Sequence, residues 1–498
     1  MLLNPGTTCW RVAPSPRAAV LVDTADYFDA ARSSMFKARR SIHLLNWAFE
    51  AQTPFRPAPG GGAAPEDRIG GFLKDLAVAK PELDIRLLCW KSALPIAATQ
   101  DFFPWRDRLF FAGSGVKFRL DGRLPMGACH HQKAIVIDDA LAFCGGADFG
   151  PDRWDTPLHL DADPRRRKSP TSKSYFCARH EVMGLIEGPP AAALGELFRE
   201  RWLRKTGESL PPAQTGEASD LWPDGVEPAF TNVAAGFSRT SAAWRDYPEV
   251  REVEALSLAM ITGARRSIYM ENQYFTSPVI AEALAARLAA TEGPEVVIVS
   301  PRRSPSWFDQ MTMDRTRSRF IGRLRSADVH GRFRAYFPLT AAGAPIIVHA
   351  KLAIIDDCLL RIGSANINNR SMGFDTECDL SLEAEGETAE ASRTAIAAIR
   401  AELVGHWLGC PARAVAEAME KEGGLGAAIE ALRAAGAGRL SPIEPAPLGA
   451  LATLIAKYHL GDPASPADSW RPWRRRAHLE ASAEAVRARL AMSFAHMP

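Results

Sequence analysis

The chain carries one short pattern twice, and this duplication constrains its fold more than any other feature. The first copy, HQKAIVIDDALAFCGGAD, runs from His131 to Asp148, and the second, HAKLAIIDDCLLRIGSAN, from His349 to Asn366. His131 matches His349, Lys133 matches Lys351 and Asp138 matches Asp356, all at one offset. Gly145-Gly146 matches Gly363-Ser364, and Asp148 matches Asn366. Upstream, ARRSI occurs at Ala38–Ile42 and again at Ala264–Ile268, each followed by an apolar run and an asparagine, Asn46 and Asn272. Two marks in the same order and at near-equal separation indicate a duplicated domain.

The 498 residues divide accordingly. Residues 1–225 form a first half, 226–410 a second, and 411–498 an Ala-, Glu- and Arg-rich helical extension with no counterpart in the first half. The polar stretch Pro211–Pro228 reads as the linker. Within each half, buried-strand patterns (DIRLLCW, EVVIVS) alternate with helical ones (PAAALGELFRERWLRK, EASRTAIAAIRAELVGHW). The expected class is α/β: two homologous α/β/α-type lobes with mixed sheets, related by a pseudo-twofold axis.

In each repeat two apolar strands meet at an Asp-Asp turn. The His and Lys on the leading strand lie two residues apart and so share a face. Asp138 and Asp356 lie at the turn, an odd number of residues away, and are expected to hold neighbouring backbone rather than touch substrate. The small pair that follows suits a close approach of ligand or backbone.

Brought together, His131, Lys133, His349 and Lys351 make a pocket for a phosphodiester. Lysines neutralise the non-bridging oxygens and the charge that builds on them. One imidazole attacks phosphorus while the other, protonated, donates to the leaving alkoxide. A phosphohistidine intermediate splits one hard step into two easier ones. This chemistry requires no metal and no cofactor, and the sequence shows no carboxylate cluster that would bind one.

These residues and their flanks resemble the phospholipase D superfamily, and within it phospholipase D proper. The resemblance rests on the two HKD motifs, GGADFGPDRWDTPLH (Gly145–His159), Arg179-His180-Glu181 followed by IEGP, YMENQYFTS (Tyr269–Ser277), GSANINNRSMGFDTE (Gly363–Glu377) and IRAELVGHWLG (Ile399–Gly409). It implies a two-lobed α/β sandwich with the site between the lobes. It implies hydrolysis of phosphatidylcholine-like lipids to phosphatidic acid and headgroup, or transfer to an alcohol. By the same resemblance His131 is the nucleophile and His349 the general acid/base. Ser364 and Asn366 would bind phosphate, with Asp148 replacing asparagine in the first copy. Glu181 and Glu377 open corresponding strands and would each orient a catalytic imidazole. Arg179 stands where the group usually has tryptophan, and Glu181 where it has aspartate.

The alternative activity is a cardiolipin-synthase-like phosphatidyltransferase. A nuclease is disfavoured by a formal net charge of only +2 and the lack of a basic stripe. A scaffold without catalysis is disfavoured because both His-Lys pairs are intact. Eight scattered cysteines read as reduced thiols. No signal peptide and no transmembrane helix is expected, so the chain is expected to be a soluble monomer, cytoplasmic or peripheral at a membrane, or exported without a leader. Its partners would be a phospholipid surface and water or an alcohol acceptor, not nucleic acid. Phe102–Phe111, Trp307–Arg319 and Trp470–Arg476 mix aromatic and basic residues as membrane-docking segments do. DPRRRKSP (Asp163–Pro170) is expected to be an exposed loop.

Overall fold

The computed structural model describes residues 1–60, 62–92, 103–150, 152–167, 174–213, 220–436, 438–445 and 449–495. The first half contributes strands β1 (Arg11–Val22), β2 (Ser41–Asn46), β3 (Asp84–Trp90), β4 (Lys117–Asp121), β5 (Ala134–Ile137), β6 (Leu141–Gly145), β7 (Arg179–His180) and β8 (Val182–Glu187). The second contributes β9 (Phe230–Ser241), β10 (Val250–Arg251), β11 (Ser267–Asn272), β12 (Glu295–Val299), β13 (Phe333–Pro338), β14 (Ile347–Val348), β15 (Lys351–Ile355), β16 (Leu359–Gly363) and β17 (Glu377–Glu383).

Fifteen strands form one mixed path in which the halves mirror each other about its middle. From β1 outward the order is β8, β6, β5, β2, β3, β4; from β9 outward it is β17, β16, β15, β11, β12, β13. The mirror line is the antiparallel pair β1–β9, with Arg11 opposite Phe237 and Ala18 opposite Phe230. The two sheets are thus fused by backbone hydrogen bonds, and β10 adds to β9 at the side.

Alternation along the repeat strands sends side chains to two cores. Ala134 and Val136 of β5 face a core shared by both halves, with Phe198 and Trp202 of the helix Pro189–Thr206 and Ile396 and Trp407 of the helix Ala389–Leu408. Ile135 and Ile137 face the opposite side, against Tyr27, Phe28 and Phe72 from the helices Thr24–Lys37 and Ile69–Ala79. In the second half Ala353 and Ile355 pack likewise against the helices Glu252–Gly263, Pro278–Ala289 and Trp307–Ala327. With both faces covered, these strands are apolar throughout, as the sequence runs required.

The C-terminal residues are mostly helical, and they also supply β18 (Leu440–Pro442), which pairs with β13 and extends the sheet. The last helix, Pro472–Ala495, lies along the second half, where Arg487 pairs with Glu282 at 3.0 Å. No helix among the described residues is long and apolar enough to cross a membrane. The linker stretch lies partly outside the described residues. Its described end is tied down, with the Trp222 indole donating to the Val226 carbonyl and Lys37 paired with Asp224.

Candidate active site

Each repeat folds as a hairpin whose turn residues hold left-handed φ: 53° and 52° at Asp138 and Asp139, 50° and 58° at Asp356 and Asp357. Asp tolerates this region because its short side chain bonds local backbone. The Asp138 carboxylate accepts from the amides of Arg39, Arg40 and Ser41 at 2.7–2.9 Å. Asp356 does the same for Arg265, Arg266 and Ser267 at 2.6–2.8 Å. The repeated ARRSI segments are therefore the partners of the repeated aspartates, and both acids sit away from the reacting groups.

The leading residues of the two hairpins converge where the halves meet. The backbone amide of His131 donates to Thr376, and that of His349 to His180, so each histidine is stitched to the opposite half. The short parallel pair β7–β14 lies in the same seam, with Val348 opposite His180. Gly146 permits the contact: a Cβ there would come within 3.0 Å of Glu181 Oε2 and 3.3 Å of Lys351 Cδ.

The imidazoles are held crosswise. His131 Nδ1 lies 2.9 Å from Glu377 Oε2, and His349 Nδ1 lies 2.7 Å from Glu181 Oε1. His131 Nδ1 is hydrogen-bonded to Glu377, which leaves Nε2 to face a substrate; His349 Nδ1 lies at ion-pair distance from Glu181 without hydrogen-bond geometry. The histidine side chains are 15% and 10% exposed, while Lys133 and Lys351 are 1% and 0% exposed. Lys133 donates to the His131 carbonyl at 2.8 Å and lies 3.4 Å from Asp148. Lys351 donates to the His349 carbonyl at 2.5 Å and to Gln273 at 3.4 Å.

Burial dominates the electrostatics. It pushes both imidazoles well below their ordinary range, and the positive fields of Lys133 and Lys351 push each further. Both histidines thus feel both lysines, as a shared cleft requires. Burial also drives Lys351 down to about 7 and the Glu377 carboxyl up to about 8. Glu181 is raised by the same cause. A bound phosphate anion would reverse the penalty on the lysines.

The two halves differ in how the glutamates are braced. Glu377 accepts from the hydroxyls of Ser364 (2.5 Å) and Ser371 (2.6 Å). Ser364, expected to bind phosphate, is thereby committed to Glu377 and is fully buried, so it acts on the site through that carboxylate. The backbone N–H of Asn366 donates to the Ser371 hydroxyl, and the buried side-chain Oδ1 makes no hydrogen bond. Asp148 accepts from the amides of Trp47 (3.0 Å) and Ala48 (3.1 Å), closing the end of β2 beside Lys133.

Sequence reasoning passed over several neighbours. Arg153, from the Arg-Trp-Asp stretch, and Arg179, in the tryptophan position, both depress His349. Arg179 is buried and pairs with Asp152 at 3.2 Å through Nη2, while its Nη1 has no hydrogen bond. Trp47 stands edge-on to His131 at 6.2 Å between ring centres. Ser371 was legible only as part of a matched string, since nothing in its spacing says which carboxylate it meets.

Three surface expectations need correction. Arg475 is buried, donating to the carbonyls of His459, Asp468 and Ser469, so it belongs to the fold and not to a docking surface. In DPRRRKSP, Asp163 and Arg166 are buried, and Arg166 lies 3.3 Å from Asp155. Residues 168–170 of that segment, and Phe102, lie outside the described residues. Phe111 is buried in the first-half core, whereas Trp307, Phe308, Trp470 and Trp473 are 52–74% exposed.

A family model described as "Cardiolipin synthase, PLD-like domain" matches residues 258–399. Cardiolipin synthase A of Escherichia fergusonii is 25% identical over 387 residues, 74% of this chain and 66% of that protein. Cardiolipin synthase of Geobacillus kaustophilus is 25% identical over 392 residues, 74% of this chain and 64% of that protein. The chain therefore spans just under two thirds of the length of these curated relatives. The crystal structure of phosphatidylserine synthase from Haemophilus influenzae shares the fold, with a TM-score of 0.52 and 12% identity over 95% of this chain and 96% of that one. The paired HKD hairpins, the mirrored sheet and these relatives agree: the chain belongs to the phospholipase D superfamily.

Proposed function

We propose that the protein is a phosphatidyltransferase of the cardiolipin-synthase-like kind, moving a phosphatidyl group between alcohols. His131 Nε2 attacks the phospholipid phosphorus, a P–N bond forms and the P–O bond to the departing alcohol breaks. His349, whose imidazolium form the substrate's phosphate charge favours against burial, gives its Nε2 proton to the leaving oxygen. The acceptor alcohol then attacks phosphorus, its proton passes to His349, and the P–N bond breaks to free His131. When water replaces the alcohol, the product is phosphatidic acid, so hydrolysis is the side path of the same site.

The observation that carries this reading is the crosswise pairing of His131 with Glu377 and His349 with Glu181 beside Lys133 and Lys351. It supplies one attacking and one proton-carrying imidazole, each with Nδ1 beside a glutamate of the opposite half and Nε2 on the other side of the ring. The pair braced by two serine hydroxyls, His131–Glu377, suits the nucleophile, whose ring gains a bond and then loses it without turning. Lys133 and Lys351, with Arg153 and Arg179 near His349, would neutralise the phosphoryl oxygens.

A lipid substrate fits the exposed Trp470. A Cβ on Gly127 would lie 3.9 Å from the Trp470 ring, and Gly127 is four residues before His131. The test is mass spectrometry of products from vesicles of phosphatidylglycerol, and of phosphatidylcholine with glycerol, against His131→Ala and His349→Ala. The reading requires phosphatidyl-alcohol product, cardiolipin in the first case, in excess of phosphatidic acid. Phosphatidic acid alone at saturating acceptor would replace it with phospholipase D hydrolysis.

A further inference from the structure

Behind the cleft, four side chains from separate segments aim donor atoms at one another. Asp23 precedes the helix Thr24–Lys37, His159 ends the Arg-Trp-Asp stretch, His180 lies on β7 and His406 on the helix Ala389–Leu408. One donor atom from each falls within 4.8 Å of all the others. His159 Nε2 is 3.1 Å from His406 Nε2 and 3.5 Å from Asp23 Oδ2; His180 Nδ1 is 3.0 Å from Asp23 Oδ1. A tetrahedral ion that holds N and O at about 2.0–2.1 Å sets its donors about 3.3 Å apart.

Groups outside the cluster turn the rings the right way. His159 Nδ1 lies 2.9 Å from Asp155 Oδ2, and His180 Nε2 lies 2.7 Å from Glu271 Oε2. Glu271 is held in turn by the Tyr269 hydroxyl at 2.5 Å and the Trp407 indole at 2.8 Å, and Asp155 by the Arg179 amide at 2.8 Å. An N–H given outward to a carboxylate leaves a lone pair pointing inward. Carboxylate-backed imidazole is the usual setting of a metal-bound histidine.

Two inward atoms lack any hydrogen bond. Asp23 Oδ2 and His180 Nδ1 are buried and meet only atoms of this cluster, at 3.5 Å from His159 Nε2 and 3.0 Å from Asp23 Oδ1 respectively, without hydrogen-bond geometry. Their residues are 1% and 0% exposed. Buried donors and acceptors are rarely left so, because each costs desolvation with no return. Asp23 and His159 also hold left-handed φ, 67° and 45°. Such backbone persists where its surroundings over-determine it.

We infer that Asp23, His159, His180 and His406 form a structural zinc site. Imidazole and carboxylate donors without thiolate, closed at four, suit Zn²⁺. The ion would take no part in the transfer reaction, and this inference does not rest on the proposed function. It would clamp the strand before Glu181, whose amide donates to Asp23 Oδ1 at 3.2 Å and whose carboxylate holds His349. It would also tie the first half to the helix of the second half that carries His406.

The full chain, purified without a histidine tag from zinc-supplied medium, is assayed for metal by mass spectrometry and for melting temperature. Zinc at one equivalent per folded chain, a melting temperature lowered by dipicolinate and restored by zinc, and the visible bands of a four-coordinate site after Co²⁺ exchange are expected. His406→Gln, changed at the least buried ligand, should lose the zinc yet keep its far-UV circular dichroism. Should that variant misfold, titration of stripped wild-type chain with zinc decides alone, through saturation at one equivalent. Folded wild-type chain with under about a tenth of an equivalent of transition metal, unmoved by added zinc, overturns the inference in favour of a hydrogen-bonded network. Another transition metal at one equivalent overturns the choice of zinc.

Discussion

Glu377 Oε2 lies 2.9 Å from His131 Nδ1, although the two residues belong to opposite halves of the chain. Neither repeat is complete without the other's glutamate. Glu377→Gln keeps size and hydrogen-bonding capacity but cannot take up or release a proton beside His131. Its turnover should fall about 10- to 100-fold, the range typical of groups that orient a reacting imidazole, with KM nearly unchanged. Ser364→Ala, which frees one oxygen of Glu377, should fall in the same direction by less. Steady-state kinetics on both variants checks this, and a KM effect without a turnover effect would contradict it.

The same carboxyl has a signature in stability. Burial raises Glu377 in the folded chain from an ordinary 4.5 to about 8. A raised carboxyl adds stability that is complete below the unfolded value and is lost as pH rises through the folded one. The stability of wild type relative to Glu377→Gln should therefore decline between about pH 4.5 and 8 and level off above. Denaturant melts of the two proteins across that range measure it; a parallel pair of curves would refute the assignment.

Lys351 should report on anion binding. Burial holds it at about 7 in the empty site, so it is largely neutral at pH 8. A phosphate analogue favours the ammonium form and raises its pKa. Binding of inorganic phosphate or vanadate at pH 8 should then take up protons, and at pH 6 should take up few through this group. Calorimetry in buffers of different ionisation enthalpy counts them, and Lys351→Met should lower the proton uptake at pH 8.

His131→Ala and His349→Ala should each lose at least about 10²–10⁴-fold in turnover. They should differ in what accumulates. With a substrate whose leaving group needs no protonation, His349→Ala should still trap a phosphatidyl adduct on His131, visible by intact-protein mass spectrometry. An adduct on His349 in the His131→Ala protein would exchange the two roles.

Membrane contact should depend on Trp470 and Trp473 with the exposed Arg471 and Arg474, since Arg475 is buried in the fold. Trp470→Ala with Trp473→Ala should weaken binding to anionic vesicles, leaving turnover of a soluble phosphodiester intact. Asp356→Ala separates structure from chemistry in another way. Losing an acceptor for three amides should cost about 1–3 kcal/mol and lower the melting temperature, with little change in turnover per folded molecule. Vesicle flotation and thermal melts are the respective measurements.

The duplication, the α/β class and the four candidate groups His131, Lys133, His349 and Lys351 were legible in the sequence, because strand periodicity and repeat offset are properties of residue order. The sequence also placed Asp138 and Asp356 at turns, where an acid between two apolar runs has one obvious use. The folded chain alone reveals which glutamate lies beside which histidine, that Ser364 meets Glu377, that Arg475 is buried, and that Asp23, His159, His180 and His406 meet. The glutamate–histidine pairs and the four-residue cluster cross the seam between the halves, whereas Ser364 meets Glu377 across neighbouring strands and Arg475 turns back on its own segment. No residue spacing encodes them, since they depend on which strand ends the fused sheets bring together and on how each side chain turns within its surroundings.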